Sequence, residues 1–240
     1  MLISRRPLSR AVRSVAPYLI SRSAVAPIIA SSGRAGSTVL YKSVRESMVR
    51  QLFKGYGRYR AGDLVSEPLW ILDPKSIRRS VVYKTHDYPP SIALPEYSRL
   101  IYVYSDPFDV VASLLRQVSV KGEAWMKAHF IHLRRESFEF EDILTKDVLG
   151  LEQHFDSWMR GCSAPVLAIN YASLWNVINH VEEYLGYSVQ LPPKRSRKSA
   201  WRDLSQKQQH ALVNTYGPLR DKIYNTKPLQ LVVGRGDLGF

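Results

Sequence analysis

Short apolar runs alternate along this chain with longer segments whose apolar residues recur at helical spacing. Runs of small and β-branched residues predict buried strands at 25–31, 80–84, 100–105 and 165–170. Helical spacing follows at 39–53, 108–117 and 172–185. Strands that alternate with helices predict an α/β fold, here a three-layer α/β/α architecture with a parallel sheet.

Local signals sharpen some of these boundaries. Asp106 and Pro107 are the preferred residues for an N-cap and a first helical position. Gly186 is expected to end the helix over 172–185, and Ser205 to cap a further helix. Residues 124–160 predict two helices, and 191–203 a basic loop. The tail from Leu229 onward predicts neither a helix nor a strand clearly.

The length of 240 residues suits one domain. Residues 1–23 contain five arginines and no acidic residue, which predicts a basic N-terminal arm ahead of a domain over 24–240. Such an arm is a transit peptide, a surface-lying helix or a solvated segment. The single cysteine, Cys162, allows no internal disulfide and favours a cytoplasmic location, with organelle targeting left open by the arm. No apolar run approaches the roughly 20 residues of a membrane span.

The charge balance favours an anionic partner. Lys and Arg number 34 against 21 acidic residues, giving a formal net charge of +13. Nucleic acid, an acidic membrane surface, an acidic glycan and a nucleotide cosubstrate all stay open on this ground, as does a basic surface that serves solubility.

A glycine-rich segment, "SSGRAGST" over 31–38, joins the first strand to the first helix. Backbone N–H groups at a helix N-terminus bind anions, and Gly33 and Gly36 allow close approach of a ligand. A nucleotide-hydrolysing P-loop needs Lys after its last glycine, but Ser37 stands there, followed by Thr38. The cation is Arg34 instead. The alternative is an ordinary turn with a solvent-facing arginine.

Polar residues also follow the next two strands. Lys84 and His86 lie in "VVYKTHDYPP" (81–90), Ser105 ends "LIYVYS" (100–105), and Ser113 lies in the helix that follows. The carboxyl ends of parallel strands meet at one edge of a sheet, where α/β proteins bind their ligands. We therefore expect these residues to converge on the loop.

The order and spacing of these motifs resemble the P-loop-like sulfotransferases, which use 3′-phosphoadenosine-5′-phosphosulfate (PAPS) as the sulfuryl donor. The resemblance extends to a strand–Tyr–helix segment, "PVLAINYASLWNVINHVEEYLG" (165–186), and a late helix, "LSQKQQHALVNTYGPL" (204–219). It spans residues 24–220. It implies transfer of a sulfuryl group from PAPS to a hydroxyl of an acceptor.

The resemblance also implies residue roles. His86 matches the general base on the acceptor hydroxyl, Lys84 a residue that supports the departing sulfuryl group, and Arg34 a lysine that contacts the bridging region of the donor. Ser113 matches a serine on the 3′-phosphate, and Tyr171 a residue near the adenine. The donor-binding residues that it implies are Gly33, Arg34, Ala35, Gly36, Ser37, Thr38, Ser105, Ser113, Tyr171 and Arg235. No metal ion is required, because these groups stabilise the developing charge.

The chain departs from the family pattern at two positions. Ser105 stands where the family has an arginine on the 3′-phosphate, and Val39 where many members have a tryptophan that stacks on adenine. Serine cannot replace the charge of arginine. Arg235 and the basic segment 194–198 are the candidates for compensation, although a solvated loop explains 194–198 equally well.

Two other functions stay open: a P-loop-like kinase or nucleotide-binding protein, and a noncatalytic basic binding module. No RNA-binding signature is present, so nucleic acid is not the expected partner. His129 and His132 lie three apart, but aromatic packing explains them better than a metal site does. The sequence does not identify the acceptor, which is set by loops predicted at 55–79 and 120–150; a glycan, a lipid and a small metabolite all stay open.

Overall fold

The structure, a computed structural model, describes residues 25–52, 62–133, 140–195 and 201–234. These residues form six strands and six α-helices, with short 3₁₀ turns between some of them. The strands are β1 (Ala26–Ala30), β2 (Ser66–Leu69), β3 (Val82–Thr85), β4 (Ser98–Tyr104), β5 (Val166–Asn170) and β6 (Leu229–Val232). The helices are α1 (Ser37–Leu52), α2 (Pro107–Lys121), α3 (Glu123–His132), α4 (Leu151–Arg160), α5 (Ile178–Leu185) and α6 (Gln206–Tyr224).

The strands form one sheet in the order β2-β3-β1-β4-β5-β6. All neighbours are parallel except β5 and β6, which are antiparallel. In the centre, Ile28 of β1 lies between Tyr83 of β3 and Leu100 of β4. The chain leaves β1 and β4 toward opposite faces of the sheet, so a crevice is expected outside their carboxyl ends.

Each face of the sheet packs against helices, which confirms the three-layer α/β/α prediction. On one face, Ile28 and Tyr102 join the side chains of α2, α4 and α6 in a buried cluster. On the other face, Ile29 and Ile101 pack with the apolar side chains of α1 and α5. Successive residues of a strand point to opposite faces, so the apolar residues of β1 and of the 100–104 stretch of β4 are buried on both sides of the sheet.

The predicted caps are confirmed. The Asp106 carboxylate accepts a hydrogen bond from the Phe108 N–H at 2.9 Å, and Pro107 opens α2. Ser205 forms a capping box with Gln208 at the start of α6. Gly186 adopts the left-handed conformation, with φ of 77°, at the end of α5. Residues 124–160 contain α3 and α4, as predicted.

Some boundaries were wrong. Segment 55–79, predicted as a loop, contains β2. The tail, for which the sequence favours neither helix nor strand, forms β6 at the sheet edge. The helix predicted from Ala172 begins only at Ile178, because the Asn170 side chain accepts a hydrogen bond from the Ala172 N–H at 3.0 Å and caps a short 3₁₀ turn. The basic arm (1–23) and Arg235 lie outside the described residues. Among the helices that the structure describes, none has the length and apolarity needed to cross a bilayer.

Candidate active site

The glycine-rich loop follows β1 and leads directly into α1. Gly33 and Gly36 have φ values of 82° and 86°, and Arg34 between them has φ of 52°. This left-handed backbone favours glycine, and a non-glycine residue there is uncommon. A Cβ on Gly36 would collide with the ring of Tyr171, so Tyr171 lies directly against the loop. The arrangement brings backbone N–H groups to the N-terminus of α1, where anions bind.

Ser31 ties this loop to the end of β3. Its hydroxyl lies 2.8 Å from that of Ser37 and accepts a hydrogen bond from the Gly33 N–H at 3.3 Å. Its carbonyl oxygen lies 2.8 Å from Nδ1 of His86. A carbonyl oxygen only accepts, so Nδ1 is the protonated nitrogen and Nε2 carries the lone pair of the neutral ring. The neutral His86 therefore has the tautomer of a base that acts through Nε2.

The surroundings of His86 favour that neutral form. Burial, followed by the nearby Lys84 ammonium, lowers the pKa of His86 from 6.5 to about 3, although the hydrogen bond to Ser31 raises it. Burial disfavours a charged imidazole, and a neighbouring cation does the same. The ring is therefore uncharged at neutral pH, as a general base must be.

The Lys84 side chain extends from β3 to the start of α1. Its ammonium donates to the Thr38 hydroxyl at 3.2 Å. Burial, then the charges of Arg34 and Lys42, lower the pKa of Lys84. The influences on Lys84 are thus desolvation and two neighbouring cations. Such a cluster of positive groups around an N–H-rich loop is complementary to an anionic ligand.

Arg34 and Ser113 meet although 79 positions separate them. The guanidinium donates from Nε at 3.1 Å and from Nη2 at 2.8 Å to the same hydroxyl oxygen. The side chain of Arg34 therefore lies over α2, on the β4 side of the loop, whereas Lys84, within β3, and His86, just after it, lie on the other side. Two positively charged side chains, Lys84 and Arg34, therefore lie on opposite sides of the loop.

The turn after β4 binds the side chain of Arg220, a residue that the sequence did not indicate. Asp106 accepts from Arg220 Nε at 3.0 Å and from the Tyr224 hydroxyl at 3.1 Å. The Arg220 guanidinium also stacks over Phe108 at 4.4 Å. Arg220 therefore fixes α6 to the turn that contains buried Ser105. It lies 114 positions from Asp106 in sequence, and no local pattern pairs them.

Asp87, the neighbour of His86, is a second residue that the sequence reasoning missed. Its buried carboxylate accepts from the Leu72 N–H and the Tyr88 N–H, each at 2.8 Å. Its carbonyl accepts from Trp158 Nε1 at 3.1 Å and from His154 Nε2 at 3.2 Å. These bonds fix the backbone that carries the base.

A cleft beside α1 lies next to Trp175, which packs against Tyr171 and donates from Nε1 to the Pro192 carbonyl at 2.8 Å. The Tyr171 ring packs edge-to-face on Trp175, with the centroids 5.4 Å apart. Val39 and Lys42 line the cleft together with segment 190–193, and its volume is about 420 Å³, within the range of small-molecule sites. Lys194 donates to the Ala172 carbonyl at 3.0 Å. A base-binding role for Tyr171 stays a prediction.

The aromatic packing expected around His129 is confirmed: its ring stacks on Trp125 at 5.2 Å with an angle of 11°. Within the described ranges, no three His, Cys, Asp or Glu side chains converge as a metal site would require.

The loop, the segment after Lys84 and the turn at Ser105 thus come to one edge of the sheet, as the sequence predicted. Ser113 contacts Arg34 and Tyr171 lies against Gly36 at the same edge. No protein-family model matches the chain, and no curated protein matches it. The resemblance to sulfotransferases therefore stays a prediction that depends on the motifs and their geometry.

Proposed function

We propose that this protein is a sulfotransferase, which transfers a sulfuryl group from PAPS to a hydroxyl of an acceptor. The observation that carries the proposal is the pairing of His86 with the loop: Nδ1 is fixed on the Ser31 carbonyl at 2.8 Å, and Nε2 is the basic nitrogen. Lys84 lies beside both. A base, a cation and an N–H-rich loop are the groups that transfer of a charged group to an alcohol requires.

The reaction balances with these residues alone. The acceptor oxygen forms a bond to sulfur as its proton passes to Nε2 of His86. The bond from sulfur to the bridging oxygen breaks, and the bisphosphate product keeps the electron pair. Sulfuryl transfer is similar to phosphoryl transfer, in which charge builds on the leaving oxygen. The Lys84 ammonium and the loop N–H groups stabilise that charge in this proposal.

The position of Arg34 supports a donor with two anionic ends. The loop and Lys84 receive the end that carries the sulfuryl group. Arg34 and Ser113, held together on the β4 side, receive the phosphate on the ribose. This assignment supplies a positive charge that Ser105 lacks, and it places Arg34 on the second phosphate rather than on the bridging oxygen.

A P-loop-like kinase is the second candidate, because strand, loop and helix are arranged as in that class. Ser37 at the position of the catalytic lysine argues against it. The acceptor stays open among glycans, lipids and small metabolites. A cytoplasmic location belongs to the proposal, since Cys162 has no cysteine partner in the sequence.

Titration calorimetry with 3′-phosphoadenosine-5′-phosphate tests the proposal. We expect a dissociation constant on the order of micromolar without metal, and no dependence on added Mg²⁺. Arg34→Ala should weaken binding by about 10-fold to 100-fold, because it removes charge-assisted hydrogen bonds. Arg160→Ala, a change to an exposed arginine at the end of α4, is the matched control and should bind as the unchanged protein does.

Heat with ATP–Mg²⁺ but none with the bisphosphate would instead support the kinase. Binding of nucleic acid that falls steeply with salt, and that survives Arg34→Ala and His86→Ala, would support a noncatalytic module.

A further inference from the structure

His129 of α3 lies against both parts of the candidate site. Its Cε1–Nε2 edge faces the loop: a Cβ on Gly33 would be 2.7 Å from Cε1 and 3.1 Å from Nε2. Its ring centroid is 6.2 Å from that of His86, with the two rings at 66°. The side chain is buried, with 8% of the residue exposed. One imidazole thus contacts the start of the anion loop and faces the base.

Aromatic stacking fixes the orientation of the His129 ring. Trp125, one turn earlier on α3, stacks on it with the planes only 11° apart, and the Lys121 ammonium lies 5.3 Å from the centre of the Trp125 ring. A ring held in this way keeps its Cε1–Nε2 edge toward Gly33. That edge carries Nε2, one of the two ring nitrogens.

The residue that this edge contacts, Gly33, belongs to the loop that holds the donor in the proposed function. His86 is anchored on the carbonyl of Ser31, two residues before Gly33, so the base and the first residues of the loop lie side by side. His129 is also among the groups that lower the pKa of His86, which agrees with their proximity. A group that moves from a donor in the loop to an acceptor at His86 Nε2 therefore comes next to His129.

We propose that His129 is a further catalytic residue, whose Nε2–H donates a hydrogen bond to an oxygen of the sulfuryl group. This inference rests on the proposed function. The proton stays on His129 throughout; the acceptor proton goes to His86, as above. The hydrogen bond stabilises the charge that spreads over the sulfuryl oxygens during transfer, and it adds a donor to Lys84 and the loop N–H groups.

Comparison of two ligands tests the proposal without turnover. PAPS carries the sulfuryl group, and 3′-phosphoadenosine-5′-phosphate lacks it. In the absence of acceptor, His129→Ala should weaken the binding of PAPS by about 10-fold to 100-fold and leave the affinity for the bisphosphate unchanged. His129→Gln, whose amide places an N–H near the position of Nε2, should restore most of the affinity for PAPS.

His129→Phe retains a ring against Trp125 and should behave as the alanine variant does, which also covers the case in which alanine fails to fold. His180→Ala, at an exposed histidine of α5, is the control and should change neither affinity. Equal losses of affinity for both ligands would mean that His129 acts only through packing. The proposal would also be overturned if neither affinity fell, or if the phenylalanine variant bound PAPS as the unchanged protein does. If the unchanged protein binds neither ligand, the proposed function itself fails.

Discussion

Replacement of His86 by asparagine should lower kcat by about 10²-fold to 10⁴-fold, the usual contribution of a general base. Asparagine places its amide N–H near the position of Nδ1, so the hydrogen bond to the Ser31 carbonyl is retained. It has no group at the position of Nε2. The affinity for 3′-phosphoadenosine-5′-phosphate should therefore stay as in the unchanged protein, which calorimetry measures beside the kinetic assay.

His86→Ala serves as the comparison, because it removes both nitrogens. Both variants should lose turnover to a similar extent. Full activity of the asparagine variant would show that His86 only holds the loop, and equal loss of turnover and of bisphosphate affinity in both variants would show that its role is structural.

The pH dependence of kcat/KM follows from the same residue. A base acts in its neutral form, which is populated above its pKa, and burial beside Lys84 lowers the pKa of His86 to about 3. Activity should therefore persist below pH 6.5, where an ordinary imidazole is already protonated. The free energy of unfolding depends on pH in the same direction. His86 binds a proton in the unfolded chain that the native state excludes, so stability falls as the pH decreases from 6.5 toward 3.

Asp87→Ala should destabilise the protein by about 2–5 kcal/mol, a large part of the roughly 5–15 kcal/mol of a typical domain. The change leaves the Leu72 and Tyr88 N–H groups without the carboxylate that accepts from both. It also loosens the backbone next to His86, so kcat should fall even where the variant is folded. Urea denaturation monitored by circular dichroism measures the free energy of unfolding.

Asp73→Ala provides the matched control. Asp73 is an exposed carboxylate that accepts from one backbone N–H, that of Lys75 at 3.0 Å, and its loss should cost no more than about 1 kcal/mol. Equal effects of the two substitutions would contradict a special role for Asp87.

The central strands and caps were predictable because their signals are local. β1 and residues 100–104 of β4 are apolar, and Asp-Pro is a common start of a helix. β2 was not predictable in this way. Its sequence, Ser-Glu-Pro-Leu, has little strand propensity, and Pro68 is tolerated because β2 is an edge strand that pairs with β3 alone.

The same distinction applies to the site. Lys84, His86 and the loop could be placed from sequence because each lies at or just after the carboxyl end of a recognisable strand. The contacts of Arg34 with Ser113, and of Arg220 with Asp106, depend on which helices pack on which face of the sheet. Asp87 gave no signal, because a single carboxylate after a strand is unremarkable until its two amide partners are known.

A crystal structure with bound 3′-phosphoadenosine-5′-phosphate tests the central claim most directly. The account predicts the 5′-phosphate against the backbone N–H groups of residues 36–38, the 3′-phosphate on Arg34 and Ser113, and His86 Nε2 facing the position that the sulfuryl group leaves. A nucleotide bound elsewhere, or a crevice between β1 and β4 that stays filled by protein side chains at saturating ligand, would contradict it.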